Sequence, residues 1–216
     1  MAREAALYDS KSLEVARVLD NSLLAEYIDS VKSSYNSKKA RQVLGKFSTG
    51  EGETIGSSPF MLVHLQNSGL LSGRRIATRQ DLETALRSRP DFLSENSADC
   101  GLSLITAGDS YLPNDLLAKN LSEQLKQRAI KLRKGKLIPI SALRLREDSN
   151  SAYGLVFDLN EDVKKLEDLS QFEWNCQRNE GLSRAGLSRF RYWNSFVGNL
   201  GDSVASGRVV VISGEA

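Results

Sequence analysis

The chain has 216 residues, 40% hydrophobic and 26% charged, with a net charge of +2; these are ordinary values for a globular protein of one domain or two small ones. No stretch approaches the ~18 consecutive apolar residues that a membrane span needs. Met1–Asp9 carries acidic residues early and no apolar segment, against a secretory leader, so the expected setting is cytoplasmic or a particle assembled from the cytosol.

The spacing of Leu13, Ala16, Leu19, Leu23, Tyr27, Ile28 and Val31 predicts a first helix from near Ser10 to about Ser34, with Asp9 and Ser10 as caps. A shorter basic helix is expected around Ser37–Phe47. The glycine-rich stretch Ser48–Ser58 reads as a loop. Pro59 stands where a first helical residue stands, with Ser57 or Ser58 as cap, for a helix reaching Asn67. Thr78 and Asp81 form an imperfect capping box for a helix to about Ser88, which Pro90 ends.

Leu102–Thr106 reads as a short strand. Asn114 or Asp115 is expected to cap a helix running to about Leu132, with Leu117, Leu121 and Leu125 on one face and Gly135 behind it. Then the pattern changes. Lys136–Arg146 and Ser151–Leu159 read as two strands joined by the turn Glu147–Asn150, with Leu143, Leu145, Leu155, Phe157 and Leu159 alternating at period two. Pro139 suits an edge or a bulge. A short helix or loop is expected over Glu161–Leu169. Phe172–Asn175 and a loosely alternating Leu182–Arg191 follow, and Arg208–Ser213 is a final strand. Helices first and strands later define an α+β class, divided here as a mainly helical part over residues 1–100 and a β-rich domain over 101–216.

Enzymatic chemistry finds little support. His64 is the sole histidine, placed between Val63 and Leu65 on a helix, and reads as a satisfied structural residue. No serine or cysteine partner is in reach for a triad. There is no paired-histidine or CxxC metal motif. Cys100 and Cys176 read as packed thiols, with a single disulfide as the open alternative. Glu51 and Glu53 lie in a glycine-rich stretch without phosphate-loop spacing, and Asp158, Glu161 and Asp162 do not match a calcium loop. The loop Gly69–Ala77 is too long for a helix-turn-helix. No catalytic activity, metal or cofactor is therefore expected.

Two binding features stand out instead. Lys126, Arg128, Lys131, Arg133, Lys134 and Lys136 form a run without an acid, and Asp158, Glu161, Asp162, Glu167, Asp168 and Glu173 form an acidic block diluted by Lys164 and Lys165. With Arg144 and Arg146 the basic run 126–146 is the alternative reading, a nucleic-acid-associated protein, although no aromatic residue interleaves it. The second feature is Gly181–Glu215, which mixes Arg, aromatic, Ser, Asn and Gly residues with no lysine, a composition suited to binding surfaces.

That C-terminal segment resembles the variable region of proteins diversified by retroelements, which carry it on a C-type-lectin-like fold. The resembling pieces are Ala152–Leu159, Gly181–Ser188, Trp193 and Gly207–Ile212. The N-terminal half has only a loose likeness to archaeal members of the group. In that group, template adenines are mutated on copying, so diversified AAC or AAT codons reach every residue except Lys, Glu, Gln, Met and Trp. Of the 19 residues from Ser188 to Ser206, only Trp193 falls outside the reachable set, and no lysine follows Lys165. The resemblance implies a ligand-binding protein with a variable region at about 182–213. It implies exposed contact residues Arg189, Phe190, Arg191, Tyr192, Asn194, Ser195, Phe196, Val197, Asn199, Val204, Ala205 and Ser206. Leu187, Trp193, Leu200 and Val209–Val211 would be buried, and the partner would be a protein. The lectin Glu-Pro-Asn sugar motif is absent, so carbohydrate binding does not follow from the fold.

Overall fold

The computed structural model describes residues 13–16, 21–50, 53–91, 93, 96–108, 112–171, 175–176, 180–188, 192–196, 199–203 and 206–213. The elements in chain order are β1 (Leu13–Ala16), α1 (Asn21–Ser34), α2 (Lys38–Leu44), β2 (Ser48–Gly50), β3 (Glu53–Ile55), α3 (Pro59–Asn67), β4 (Arg74–Ile76), α4 (Arg79–Ser88), β5 (Ser97–Leu104) and α5 (Leu112–Gln127). They are followed by β6 (Lys136–Pro139), β7 (Leu143–Glu147), β8 (Leu155–Leu159), β9 (Glu167–Asp168), β10 (Asn175–Cys176), β11 (Leu182–Leu187), β12 (Trp193–Phe196) and β13 (Gly207–Ser213). The class is α+β, with the helices in the N-terminal part.

Local signals placed α3 and α4 well. Ser58 caps α3 by accepting from the Met61 amide, with Pro59 in the first turn. The capping box of α4 is complete: the Thr78 hydroxyl accepts from the Asp81 amide, and the Asp81 carboxylate accepts from the Thr78 amide at 2.8 Å. Arg75 also donates to both Asp81 oxygens, at 2.6 and 3.1 Å. Burial alone would raise the Asp81 pKa, but Arg75 and Thr78 hold it below the usual carboxylate value. Leu117, Leu121 and Leu125 form the buried stripe of α5.

Four expectations are corrected. The first helix begins at Asn21 rather than near Ser10, and the proposed caps Asp9 and Ser10 lie outside the described residues. Leu13–Ala16 instead forms β1, antiparallel to Val209–Ile212 of β13; four ladder pairs with a distant strand outweigh a local helical spacing. The Ser48–Ser58 stretch is not all loop, because β2 and β3 form a small hairpin. Asn114 does not cap α5. It sits inside the helix, buried, accepting from the Tyr153 hydroxyl at 2.7 Å and donating to the Leu182 carbonyl at 3.1 Å. Finally, α5 stops at Gln127, five residues short of Leu132. The Ile130 amide donates to the Leu125 carbonyl and the Ala129 amide to the Lys126 carbonyl, the paired bonds of a Schellman ending.

One sheet of nine strands is formed among the described residues, in the order β1-β13-β5-β11-β12-β10, with β4 on β13 and β6 between β5 and β9. Pro139, at the end of β6, lies opposite Gly101 of β5, where the chain leaves the sheet. Along β5 the pairing with β11 slips at Ala185/Gly186: Ala185 faces Gly101 and Gly186 faces Asp99. Cys100 is therefore the extra residue of a β-bulge, and the side-chain alternation of β5 changes face there. Ala98 and Cys100 join Leu137, Ala185, Leu187, Val210 and Ile212 under Leu82 and Ala85 of α4. Leu102 and Leu104 join Ile138, Leu182, Val209 and Val211 on the opposite side, packed with α1, α2, α3, α5 and the β7–β8 hairpin. Gly186 and Gly101 are required by this crowding. A Cβ on Gly186 would lie 2.4 Å from the Ala98 carbonyl oxygen, and one on Gly101 2.2 Å from that of Ile138.

In the β7–β8 pair Leu143, Leu155, Phe157 and Leu159 are buried as the alternation predicts, while Leu145 is half-buried and Val156, on the other face of β8, is buried as well. Phe157 stacks on Phe60 at 4.5 Å between ring centroids. The boundary expected near residue 100 falls within β5, and the larger core draws on residues from Tyr27 to Val211. Among the described residues no helix is long and apolar enough to cross a membrane.

Ala129 ends α5 with φ +57°, a conformation that costs an L-residue about 1 kcal/mol or more and that glycine adopts freely. Ala129→Gly is expected to raise unfolding free energy by about 0.5–1 kcal/mol, read by urea denaturation; a destabilised variant would contradict this account of the helix end.

Candidate functional site

The C-terminal segment rests on β5, β11 and β12, and its most constrained feature is a buried ion pair. The sequence around Arg184, Leu182-Ser-Arg-Ala-Gly-Leu187, is otherwise apolar or small, so the guanidinium enters the interior with its strand. It donates through Nε to Asp99 Oδ1 at 3.2 Å and through Nη2 to Asp99 Oδ2. Nη2 also donates to the Ser57 carbonyl at 2.7 Å and Nη1 to the Asp202 carbonyl at 2.9 Å, and the Ser57 hydroxyl donates to Asp99 Oδ2 at 2.9 Å. The side chains of Arg184 and Asp99 are 4% and 3% exposed. Sequence reasoning missed this group because residues 57, 99, 184 and 202 come from four separate segments; the available signal was a charge within each of two otherwise small or apolar strands.

On the opposite side of the sheet, the hydroxyls of Ser183 and Ser195 each lie 2.8 Å from that of Ser103. Asn194, 2% exposed, pairs with Gly186 across β11–β12, and its side-chain oxygen is buried with no hydrogen-bond partner. The expectation that Asn194 and Ser195 are exposed is thus corrected: both are buried because β12 is an interior strand, flanked by β11 and β10.

The other expected contact residues divide. Tyr192 is 41% exposed in the connection between β11 and β12. Asn199 is half-buried, and its side chain accepts from the Gly201 amide at 2.8 Å. Ser206 is half-buried, and its carbonyl accepts from the Ser97 amide at 2.9 Å. Arg189, Phe190, Arg191, Val197, Val204 and Ala205, with the side chain of Phe196, lie outside the described residues, as do Phe172–Trp174. Of the expected interior positions, Leu187, Leu200 and Val209–Val211 are buried, while Trp193 is half-buried against the α4 side.

The basic run 126–146 is divided by the fold. Arg128 donates to the carbonyls of Leu159 at 3.0 Å and of Asn160, fastening α5 to the end of β8. Lys136 pairs with Asp168, and Arg146 with Asp158 at 2.7 Å. Arg144 faces Glu161 at 3.9 Å. Lys126, Lys131, Arg133 and Lys134 are exposed.

His64 is a buried structural residue, as its setting between apolar neighbours implied. Its two ring nitrogens lie 3.1 Å from the Ser30 hydroxyl and 3.2 Å from the Tyr35 hydroxyl, and Tyr27 packs edge-on at 5.4 Å. Burial pushes its pKa down to about 4, while burial, and then the Glu147 carboxylate, pushes Tyr35 up to about 12. Cys100 is a free thiol whose pKa burial raises, the opposite of an activated nucleophile. No group of three His, Cys, Asp or Glu side chains among the described residues is placed to hold a metal ion. The chain matches no known family model, no curated protein and no solved structure.

Two outcomes test this geometry. Arg184→Met strands Asp99 in the interior and is expected to cost about 3–5 kcal/mol; a loss below ~1 kcal/mol would mean that water solvates the pair. For His64, the folded pKa lies below the unfolded value near 6.5, so its contribution is complete above pH ~6.5 and is lost as pH falls toward about 4. Melting temperature should decline across that window, and His64→Gln should flatten the decline.

Proposed function

We propose that the chain is a target-recognition protein that presents a variable surface, drawn from residues 182–213, on a C-type-lectin-like scaffold, and that its target is a protein. The observation supporting this is the division of the 188–206 stretch. Ser188, Asn194, Ser195, Leu200 and Gly201 are buried, while Tyr192 stands exposed between β11, which the Arg184–Asp99 pair ties to β5, and β12, which pairs with β11. Binding surfaces of changeable sequence belong on connections held by a rigid framework. An exposed tyrosine offers large contact area at low conformational cost. The codon-compatible composition of the same stretch is what such a surface requires.

The test is to sequence the DNA flanking the gene. A reverse transcriptase and a near-copy of the codons for residues 182–213 are expected, with mismatches at template adenines falling on Tyr192 and other exposed positions and sparing Ser195 and Leu200. Absence of both elements, or mismatches spread equally over buried codons, overturns the reading. In parallel, Tyr192→Ala is expected to change stability by no more than about 0.5 kcal/mol.

A further inference from the structure

At the C-terminal end of α5, Ala107, Ser122, Ala129, Ile130 and Leu132 line an open groove of about 540 Å³ together with Lys126, Lys131 and Arg133. Its size lies within the range of ordinary ligand sites. Ile130 and Leu132 are half-buried against the larger core, so the apolar floor is recessed and anchored. The three cations, with Lys134 beside them, are exposed on its rim. Nearby cations are already neutralised by Asp115, Asp158 and Asp168. Among the described residues, Lys126, Lys131 and Arg133 form no ion pair, whereas the Lys134 charge helps Lys136 hold the Asp168 carboxyl below its usual value.

The combination discriminates between occupants. Single-stranded nucleic acid is held by stacking as well as charge, and no aromatic side chain among the described lining offers a stacking face. A bilayer surface is engaged by protruding apolar side chains that enter it, whereas Ile130 and Leu132 are recessed. An acidic peptide with one apolar anchor satisfies both parts of the groove, placing its anchor on the floor and its carboxylates at the rim.

We propose that this groove binds an acidic peptide segment of a protein partner, with a Leu, Ile or Phe side chain seated on Ile130 and Leu132 and flanking carboxylates against Lys126, Lys131 and Arg133. The site is separate from the C-terminal variable surface and does not depend on that reading. Exposed ion pairs are individually weak and screened by salt, so the complex is salt-sensitive.

Short random peptides displayed on phage would be selected on the immobilised full-length chain. The expected winners combine Asp or Glu with an aliphatic or aromatic anchor. Their binding should fall about tenfold or more in the Lys126→Glu/Lys131→Glu/Arg133→Glu chain and when Gln and Asn replace their acids, and should persist in the Tyr192→Ala chain. The substituted peptides report on the unaltered protein, so the outcome does not rest on the variant's folding. The proposal is overturned if selection yields no acidic peptides, or if those recovered bind the charge-reversed chain equally. It is also overturned if oligothymidylate or phosphatidylserine vesicles bind through these cations while the acidic peptides do not.

Discussion

The Arg184–Asp99 pair is the constraint on which the C-terminal half depends. Two charges withdrawn from water are tolerated only when nearly every donor and acceptor is matched, and matching them here takes four segments at once. Asp99 comes from β5, Arg184 from β11, Ser57 from the approach to α3, and the Asp202 carbonyl from the segment before β13. None of these can shift without leaving a buried charge short of partners. The pair thereby fixes the register of β5 against β11 beside the very bulge where that register slips.

The bulge at Cys100 has a consequence beyond β5. Without it, Ala98, Cys100, Leu102 and Leu104 would share one face of the sheet, since all lie at even spacing. With it, the first two serve the core beneath α4 and the last two the core shared with α1, α3 and α5. One inserted residue lets a single strand feed two apolar layers, and it turns Asp99 toward Arg184 and Ser103 toward Ser183 and Ser195. Gly101 and Gly186 flank the slip because the neighbouring backbones pass too close for a side chain.

What was legible in the sequence follows from the range of each interaction. The caps at Ser58 and Thr78, the Leu117–Leu121–Leu125 stripe and the alternation of β7 and β8 are encoded within a few residues and can be read there. The strand at Leu13–Ala16 cannot, because its partners lie about two hundred residues away. Likewise, Asn194 and Ser195 look like surface residues by type. Their burial comes from strands on both sides of β12 and, for Ser195, from a hydroxyl partner on β5. Asn114, like Asp115, is of a type that favours helix ends, yet its actual partners are Tyr153 and Leu182, far along the chain.

The basic run shows how folding converts composition into a surface. In sequence, Lys126–Arg146 is one block of charge. In the fold, Arg128 becomes a clamp on the end of β8, while Lys136 and Arg146 are absorbed by Asp168 and Asp158, members of the acidic block downstream. The two blocks cancel where β6, β7, β8 and β9 bring them together. The cations beyond reach of that pairing lie around the termination of α5, where the chain turns at Ala129 and leaves Ile130 and Leu132 only half covered. Unbalanced charge and incomplete apolar burial coincide there because both arise from the same event, the ending of the helix before its basic run is complete.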